Sequence, residues 1–281
     1  MSYVLFDIGG TNTRVAVSED LKTFSEPKKF KTPKDFDKGI DAIVDAVNEL
    51  TDEEIRGAAG GMRGVLDGDK SGIIRDPGGV LSNWEEQSIV GALKKKIKTD
   101  VSLENDAALV GLGEAMFGAA EGYDIVAYHT VSTGVGGARI ENGTIDATTH
   151  GFEPGHQILD IDQTILGEGI DATLENLVSG GALETRTGEK PYDIAQTDAV
   201  WDQLASYLAY GLHNTIVYWS PEVIVLGGSM IVGDPRILLN DIITHTHEVV
   251  GDTVEVPVIV DAELGDFGGL YGAMALLNQK V

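Results

Sequence analysis

The chain has 281 residues, 36 of them glycine and none cysteine, and a formal net charge of −25. The missing cysteines exclude a disulfide scaffold, a thiolate zinc finger and a cysteine nucleophile. So acidic a chain repels nucleic-acid phosphates, and no run approaches the ~18 apolar residues of a membrane span. The start, Met1 to Gly10, lacks a basic segment and meets Asp7 early, unlike a signal peptide. The expectation is a soluble, cytoplasmic protein with no nucleic-acid or membrane partner, of roughly two domains at ~150 residues each.

Residues 2–8 (SYVLFDI) read as a buried strand, Gly9-Gly10 as a turn and 13–18 (TRVAVS) as the return strand of a hairpin. A third strand fits within 22–31. Ile40, Ile43, Val44, Val47 and Leu50 keep helical spacing, 55–60 reads as a strand, and the Gly- and Asp-rich stretch 61–84 as mostly loop. Ile89, Val90, Leu93 and Ile97 mark a helix ending in Lys94-Lys95-Lys96 and Lys98. Those lysines read as a solvated helix end, where cations favour the dipole. A strand at Val101-Ser102-Leu103 leads into a helix from about Asp106 to Phe117.

The pattern then restarts, with a strand at 124–131, a glycine turn at 133–137 and a return at 138–141. Residues 150–192 look irregular apart from one short helix near 172–179. A helix of about 20 residues starts at Val200. After it come a strand at 222–226 ending in Gly227-Gly228, a helix at about 235–249, a strand at 256–260 and a last helix at 267–278. Alternating strands and helices indicate α/β architecture. Two hairpin-first halves suggest a duplicated domain with a cleft and a boundary within 106–122.

Five segments carry polar groups where backbone is bare. Asp7-Ile8-Gly9-Gly10-Thr11-Asn12 offers free amides for phosphate oxygens and a carboxylate for Mg²⁺, or is simply a tight hairpin turn. Ser132-Thr133-Gly134-Val135-Gly136-Gly137 repeats that logic in the second half. Asp106, in Glu104-Asn105-Asp106-Ala107, is either a helix cap or a general base. Glu153-Pro154-Gly155-His156 suits hydrogen bonding to a polyol, or forms a surface loop. A metal set of His150, Glu153 and His156 matches no strong spacing, and His245 and His247 point to different helix faces. Ile224-Val225-Leu226-Gly227-Gly228-Ser229 ends a buried strand on bare backbone where adenine can pack, or is an ordinary strand-to-helix turn. Neither a Walker Gly-Lys-Ser/Thr ending nor a full G-x-G-x-x-G is present.

In this order, DIGGTNTR (7–14), ENDA (104–107), STGVGGARI (132–140), EPGH (153–156), the LEN-LVSG stretch (174–180), VIVLGGSM (223–230) and GDFGGLYGAMALL (265–277) resemble the ROK family of sugar kinases. The resemblance implies an α/β, actin/hexokinase-like (ribonuclease H-like) fold of duplicated domains with an interdomain cleft. It implies a first domain of 1–110 plus a C-terminal helix at about 266–281, and a second of 111–265 bearing ATP and sugar contacts. It implies Asp106 as the catalytic base, and Gly64, Asn105, Asp106, Glu153, His156 and Glu175 as sugar ligands. Asp7, Gly9, Gly10, Thr11, Asn12, Thr133, Gly134, Gly227, Gly228 and Ser229 would hold ATP, with Asp7 on Mg²⁺ directly or through water. The implied activity is an ATP-dependent hexose kinase, foremost a glucokinase, with a small-molecule sugar as partner. Fructose, allose, N-acetylglucosamine and N-acetylmannosamine remain alternative acceptors, and a homodimer is compatible.

Two departures stand out. The family's zinc-binding cysteine positions are occupied here by Leu166, Glu168 and Thr173, so no zinc is expected and His156 would be oriented by hydrogen bonds. The loop near the sugar is matched only loosely by Pro77-Gly78-Gly79-Val80-Leu81-Ser82-Asn83-Trp84, which leaves the acceptor open. Of two non-enzyme readings, a sugar-sensing repressor would need a helix-turn-helix domain ahead of a phosphate turn that begins at residue 7. A catalytically silent sugar-binding protein would not need Asp7, Asp106 and both glycine turns.

Overall fold

The structure, a computed structural model, describes residues 1–76, 79–149 and 151–280. His150 of the metal alternative, and Pro77 and Gly78 of the loosely matched loop, lie outside the described residues. The chain forms two compact units. One comprises Met1–Phe117, Ala147–Gly151 and Asp266–Val281, the other Gly118–Asp146 and Phe152–Gly265.

In the first unit, β1 (Ser2–Ile8), β2 (Asn12–Ser18) and β3 (Lys28–Lys31) form an antiparallel meander. The chain then crosses through α1 (Phe36–Leu50) to β4 (Ile55–Met62), parallel to β1. A short hairpin, β5 (Val65–Leu66) and β6 (Ile73–Arg75), precedes α2 (Ile89–Ile97), β7 (Val101–Asn105) and α3 (Asp106–Phe117). The sheet order is β3-β2-β1-β4-β7. Ile40, Ile43 and Val47 of α1 share a core with Val4, Phe6 and Ile8 of β1 and Val15 and Val17 of β2. Each such fully buried side chain contributes roughly 1.5–3 kcal/mol. Both crossover helices carry side-chain caps: Asp35 accepts from the Lys38 N–H at 3.0 Å, and Ser88 from Gly91 at 3.0 Å. Two of the lysines at the end of α2 are paired, Lys94 with Asp100 at 2.7 Å and Lys96 with Asp41 at 2.6 Å.

In the second unit, β8 (Ile125–Val131), β9 (Val135–Glu141) and β10 (Thr144–Ile145) form the corresponding meander. After it come α4 (Leu174–Val178), α5 (Gly180–Thr187), α6 (Val200–Trp219), β11 (Val223–Gly227), α7 (Ser229–Val232), α8 (Leu239–Val250) and β12 (Val258–Asp261). The order β10-β9-β8-β11-β12 repeats that of the first sheet, with β11 parallel to both β8 and β12. Leu204, Leu208 and Leu212 of α6 share a core with Ala127, Ile224 and Leu226 of the sheet. The last helix, α9 (Gly268–Asn278), returns to the first unit and packs on α3. Among the described residues no helix is long and apolar enough to cross a membrane.

The structure corrects several local expectations. The stretch read as loop holds the β5–β6 hairpin and a 3-10 turn at Ser82–Trp84. Trp84 is fully buried, with its indole N–H donating to the Pro33 carbonyl at 3.1 Å. The irregular stretch hides α5 directly after α4. Gly180-Gly181 reads as a breaker, yet Ser179 caps the helix by accepting from Ala182 at 3.1 Å. The helix expected from about 235 begins at Leu239, because Gly233 and Pro235 separate it from the short α7. His245 has a structural role, its ring bridging Asp202 of α6 at 2.8 Å and Glu248 at 3.1 Å.

Candidate active site

In the first unit the glycine turn between β1 and β2 is closed by the Gly9 N–H donating to the Asn12 carbonyl at 3.0 Å. Thr32 braces it from β3's end, its hydroxyl donating to the Gly9 carbonyl at 2.7 Å. Asp7 lies just before the turn, paired across β1–β2 with Arg14 and across β1–β4 with Gly61. Its carboxylate fits against the start of α9, where a Cβ on Gly269 would stand 3.1 Å from Asp7 Cγ. An Arg14 nitrogen lies 3.8 Å from Asp7 Oδ2, while the same guanidinium pairs with Asp266. Burial first, and then the Asp106 charge, push the Asp7 carboxyl up to about 7, against the pull of Arg14. A half-buried carboxylate so short of positive charge suits a divalent cation that also holds phosphate oxygens and water.

Asp106 opens α3 at the end of β7. Its Oδ1 accepts from the Ala107 N–H at 2.8 Å, while Asn105 Oδ1 accepts from Ala108 at 3.2 Å in the usual cap geometry. The capping alternative for Asp106 therefore falls largely to Asn105. Asn105 also donates from Nδ2 to the Gly64 carbonyl at 3.4 Å. Gly64 has φ +106, and a Cβ there would stand 2.8 Å from the Arg75 carbonyl oxygen, so glycine is required. Burial raises the Asp106 carboxyl above the ordinary carboxylate range, and the nearby Arg63 charge opposes it. Glu104, beside them, pairs with Lys70 and accepts from the Asn105 N–H at 3.0 Å.

In the second unit Ser132–Gly134 joins β8 to β9. The Ser132 and Thr133 carbonyls accept from the first amides of α5, Gly180 at 2.7 Å and Gly181 at 3.2 Å. Glu175 Oε2 accepts from the Val135 N–H at 2.8 Å and fills the space a Cβ on Gly134 would take. Gly227 and Gly228 lie alongside, Gly228 at φ +88 against the Val131 carbonyl, with Ser229 Oγ 3.0 Å from Ser132 Oγ. Thr133, Gly134, Glu175 and Gly227–Ser229 are thus gathered around one strand end. A cavity of about 260 Å³ beside them is lined by Thr133, Leu166, Ile170, Glu175, Ser179 and Arg186.

Glu153 precedes, and His156 ends, a 3-10 turn, Pro154–His156, packed on β9 through Gly155 and Pro154. His156 Nδ1 lies 3.4 Å from Glu153 Oε2, and both side chains are open to solvent. Gln157 anchors the turn, donating to the Pro154 carbonyl at 2.8 Å and accepting from Asn214 at 2.7 Å. The positions aligned with the family's cysteines have other work. Leu166 is buried in the core, and Thr173 caps α4 by accepting from Asn176 at 3.3 Å. Asp160, itself buried, holds the intervening loop by accepting from Leu166 at 2.7 Å and Ile165 at 3.2 Å.

Sequence reasoning missed Arg63 and Asp76. Arg63 Nε donates to Asp76 Oδ1 at 3.0 Å, and the Asp76 side chain has no exposure. The available signal was an arginine enclosed by glycines, Gly60-Gly61-Met62-Arg63-Gly64, which reads as the start of a loop.

The family model for the ROK family matches residues 3–280. A putative fructokinase of Bacillus subtilis (strain 168) is 26% identical over 98% of this chain and 95% of its own length. The glucokinase of Thermotoga maritima is 25% identical over 98% of this chain and 96% of its own. Among solved structures, the ROK hexokinase of Thermus thermophilus has 27% identity and a TM-score of 0.82, covering 100% of this chain and 99% of that one. A ROK family glucokinase from Streptomyces griseus, in complex with glucose and AMPPNP, has 25% identity and a TM-score of 0.79 over 99% and 100% of the two chains. With these matches spanning two units of repeated topology, the chain belongs to the ROK family and has the actin/hexokinase-like fold of its sugar kinases.

Proposed function

We propose that this chain is an ATP-dependent hexose kinase, foremost a glucokinase, with Asp106 as general base. The observation that carries the role of Asp106 is its position: a half-buried carboxylate at a helix start, relieved of capping by Asn105 and raised in proton affinity by desolvation. Family membership supports the reaction class. Glucose is supported by the Streptomyces glucokinase, solved with glucose, and by the Thermotoga glucokinase. Fructose is the second acceptor, because relatives at 26–28% identity are named fructokinases.

Phosphoryl transfer asks a protein for alignment and charge stabilisation more than covalent help. Asn105, Gly64, Glu153, His156 and Glu175 would bind the sugar hydroxyls. Asp106 takes the proton of the attacking hydroxyl as its oxygen bonds to the γ-phosphorus. The bond from that phosphorus to the β,γ-bridging oxygen breaks, and the electron pair leaves with ADP. The amides of Gly9–Asn12, together with Thr133 and Gly134, would hold the phosphate chain, and Gly227, Gly228 and Ser229 would border the adenosine. Asp7 would hold Mg²⁺ directly or through water, and the bound ion would neutralise phosphate charge. No zinc is assigned, since Leu166 and Thr173 serve packing and capping instead.

A coupled ADP-release assay over glucose, fructose, allose, mannose and the N-acetylated amino sugars tests this reading. Glucose is expected to give the highest kcat/KM. Asp106→Asn is expected to lower kcat by about 10²–10⁴ while calorimetry still detects sugar binding. Hexose-independent ADP release, or an Asp106→Asn variant keeping more than about a tenth of the rate, would contradict it.

A further inference from the structure

Arg63 follows the last residue of β4, and the required glycine at 64 turns the chain away behind it. Its direction is fixed from below. Nε donates to Asp76 Oδ1 at 3.0 Å, and the other oxygen of that buried carboxylate accepts from the Leu81 N–H at 2.7 Å. The side chain therefore lies over the glycine turn. A Cβ placed on Gly10 would stand 3.0 Å from Arg63 Nη1 and 3.2 Å from its Cδ. The other arginine here, Arg14, is already committed to Asp7 and Asp266. Arg63 makes its hydrogen bond through Nε, and among the described residues its two Nη groups donate to no protein atom. An aimed guanidinium with a free edge, between a bare-backbone turn and a buried carboxylate, has the shape for an anionic oxygen group.

We propose that Arg63 binds the phosphoryl group in transit, resting on the kinase reading above. A guanidinium fork matches the equatorial oxygens of that group, and its charge is worth most where negative charge accumulates during transfer. Its charge also opposes the raised proton affinity of Asp106, so the same cation tempers the repulsion between that carboxylate and an incoming phosphate. Gly10 is then glycine for two reasons: to free its amide, and to leave room for Arg63.

The test compares wild type, Arg63→Ala and Arg63→Lys in ADP-release assays with the best hexose, and in calorimetric binding of MgADP with and without aluminium fluoride. Arg63→Ala is expected to lose about a hundredfold or more in kcat, with the sugar KM within about twofold. Dilute guanidinium is expected to restore part of that loss, which it would not do for a purely structural arginine. Affinity for MgADP with aluminium fluoride should fall far more than for MgADP alone, with Arg63→Lys intermediate. Should the alanine variant not fold, Arg63→Gln, which keeps the stem over Gly10 and a donor near Asp76, is held to the same criteria. A truncated variant retaining more than a tenth of kcat overturns the assignment. So does a loss that guanidinium leaves unchanged, or one confined to acceptors bearing a carboxylate, such as gluconate. A wild-type protein inactive on every hexose overturns the kinase reading itself, and this assignment with it.

Discussion

Asp7 shows how a candidate site carboxylate is held at a cost to the fold. Burial and the neighbouring Asp106 push its carboxyl up to about 7, and only Arg14, 3.8 Å away and shared with Asp266, opposes them. The folded chain thus holds this proton more tightly than the unfolded chain, whose carboxyl titrates near ~4. The associated stability is fully present below that unfolded value and is lost as pH rises through about 7. Asp7→Asn removes the loss. Without divalent cations, the variant should melt higher than wild type at pH 8, by on the order of 2 kcal/mol or 5 °C, and the gap should close towards pH 4. Turnover should be abolished throughout. Calorimetry at the two pH values checks this, and equal melting temperatures at pH 8 would refute it. Asp7 and Asp106 were legible in the sequence because each sits where an apolar run meets bare backbone or a helix start. Arg63 was not, because its aim depends on Asp76, a partner beyond the β5–β6 hairpin.

At the scale of elements, the candidate residues depend on helix approaches that only glycine permits. A Cβ on Gly272 of α9 would overlap the Leu109 carbonyl oxygen of α3, and one on Gly268 would stand 2.8 Å from a Val110 methyl. A backbone oxygen inside a helix cannot give way as a side chain can. Ala at 272 gains roughly 1 kcal/mol of helix propensity, yet overpacking against rigid backbone costs more. Gly272→Ala should therefore be less stable by about 1–3 kcal/mol, while Gly68→Ala, which meets open space, should lie within about 0.5 kcal/mol of wild type. Urea unfolding of both variants decides it; a Gly272→Ala protein as stable as wild type would mean that the helices do not approach this closely. Since α9 also seats Asp7 at Gly269, activity should fall with stability. The strands and long helices were legible because period-2 and period-3.6 patterns survive in short windows. Helix α5 was not, because its two leading glycines answer to the Ser132 and Thr133 carbonyls, about 48 residues earlier in the chain.

At the scale of the molecule, one sheet order occurs twice, but the charge of −25 falls mostly on the second unit, which holds 23 Asp and Glu against 4 Lys and Arg. With 45 acidic residues against 20 lysines and arginines, pairing cannot neutralise the surface. Exposed pairs such as Lys94–Asp100 and Lys28–Glu49 add little each. The unfolded chain spreads this charge over a larger volume, so self-repulsion opposes the compact state. Salt screens it: the Debye length falls from about 10 Å at 0.1 M to about 3 Å at 1 M. The melting temperature should therefore rise with KCl, most steeply below about 0.5 M, where the Debye length changes fastest. Sucrose, which strengthens burial without screening, should give a shallower and steadier rise. A temperature that is flat or falling from dilute buffer to 0.5 M KCl would show that the excess carboxylates lie too far apart to repel. The acidity would then concern solubility alone, and the fold would stand without help from counterions.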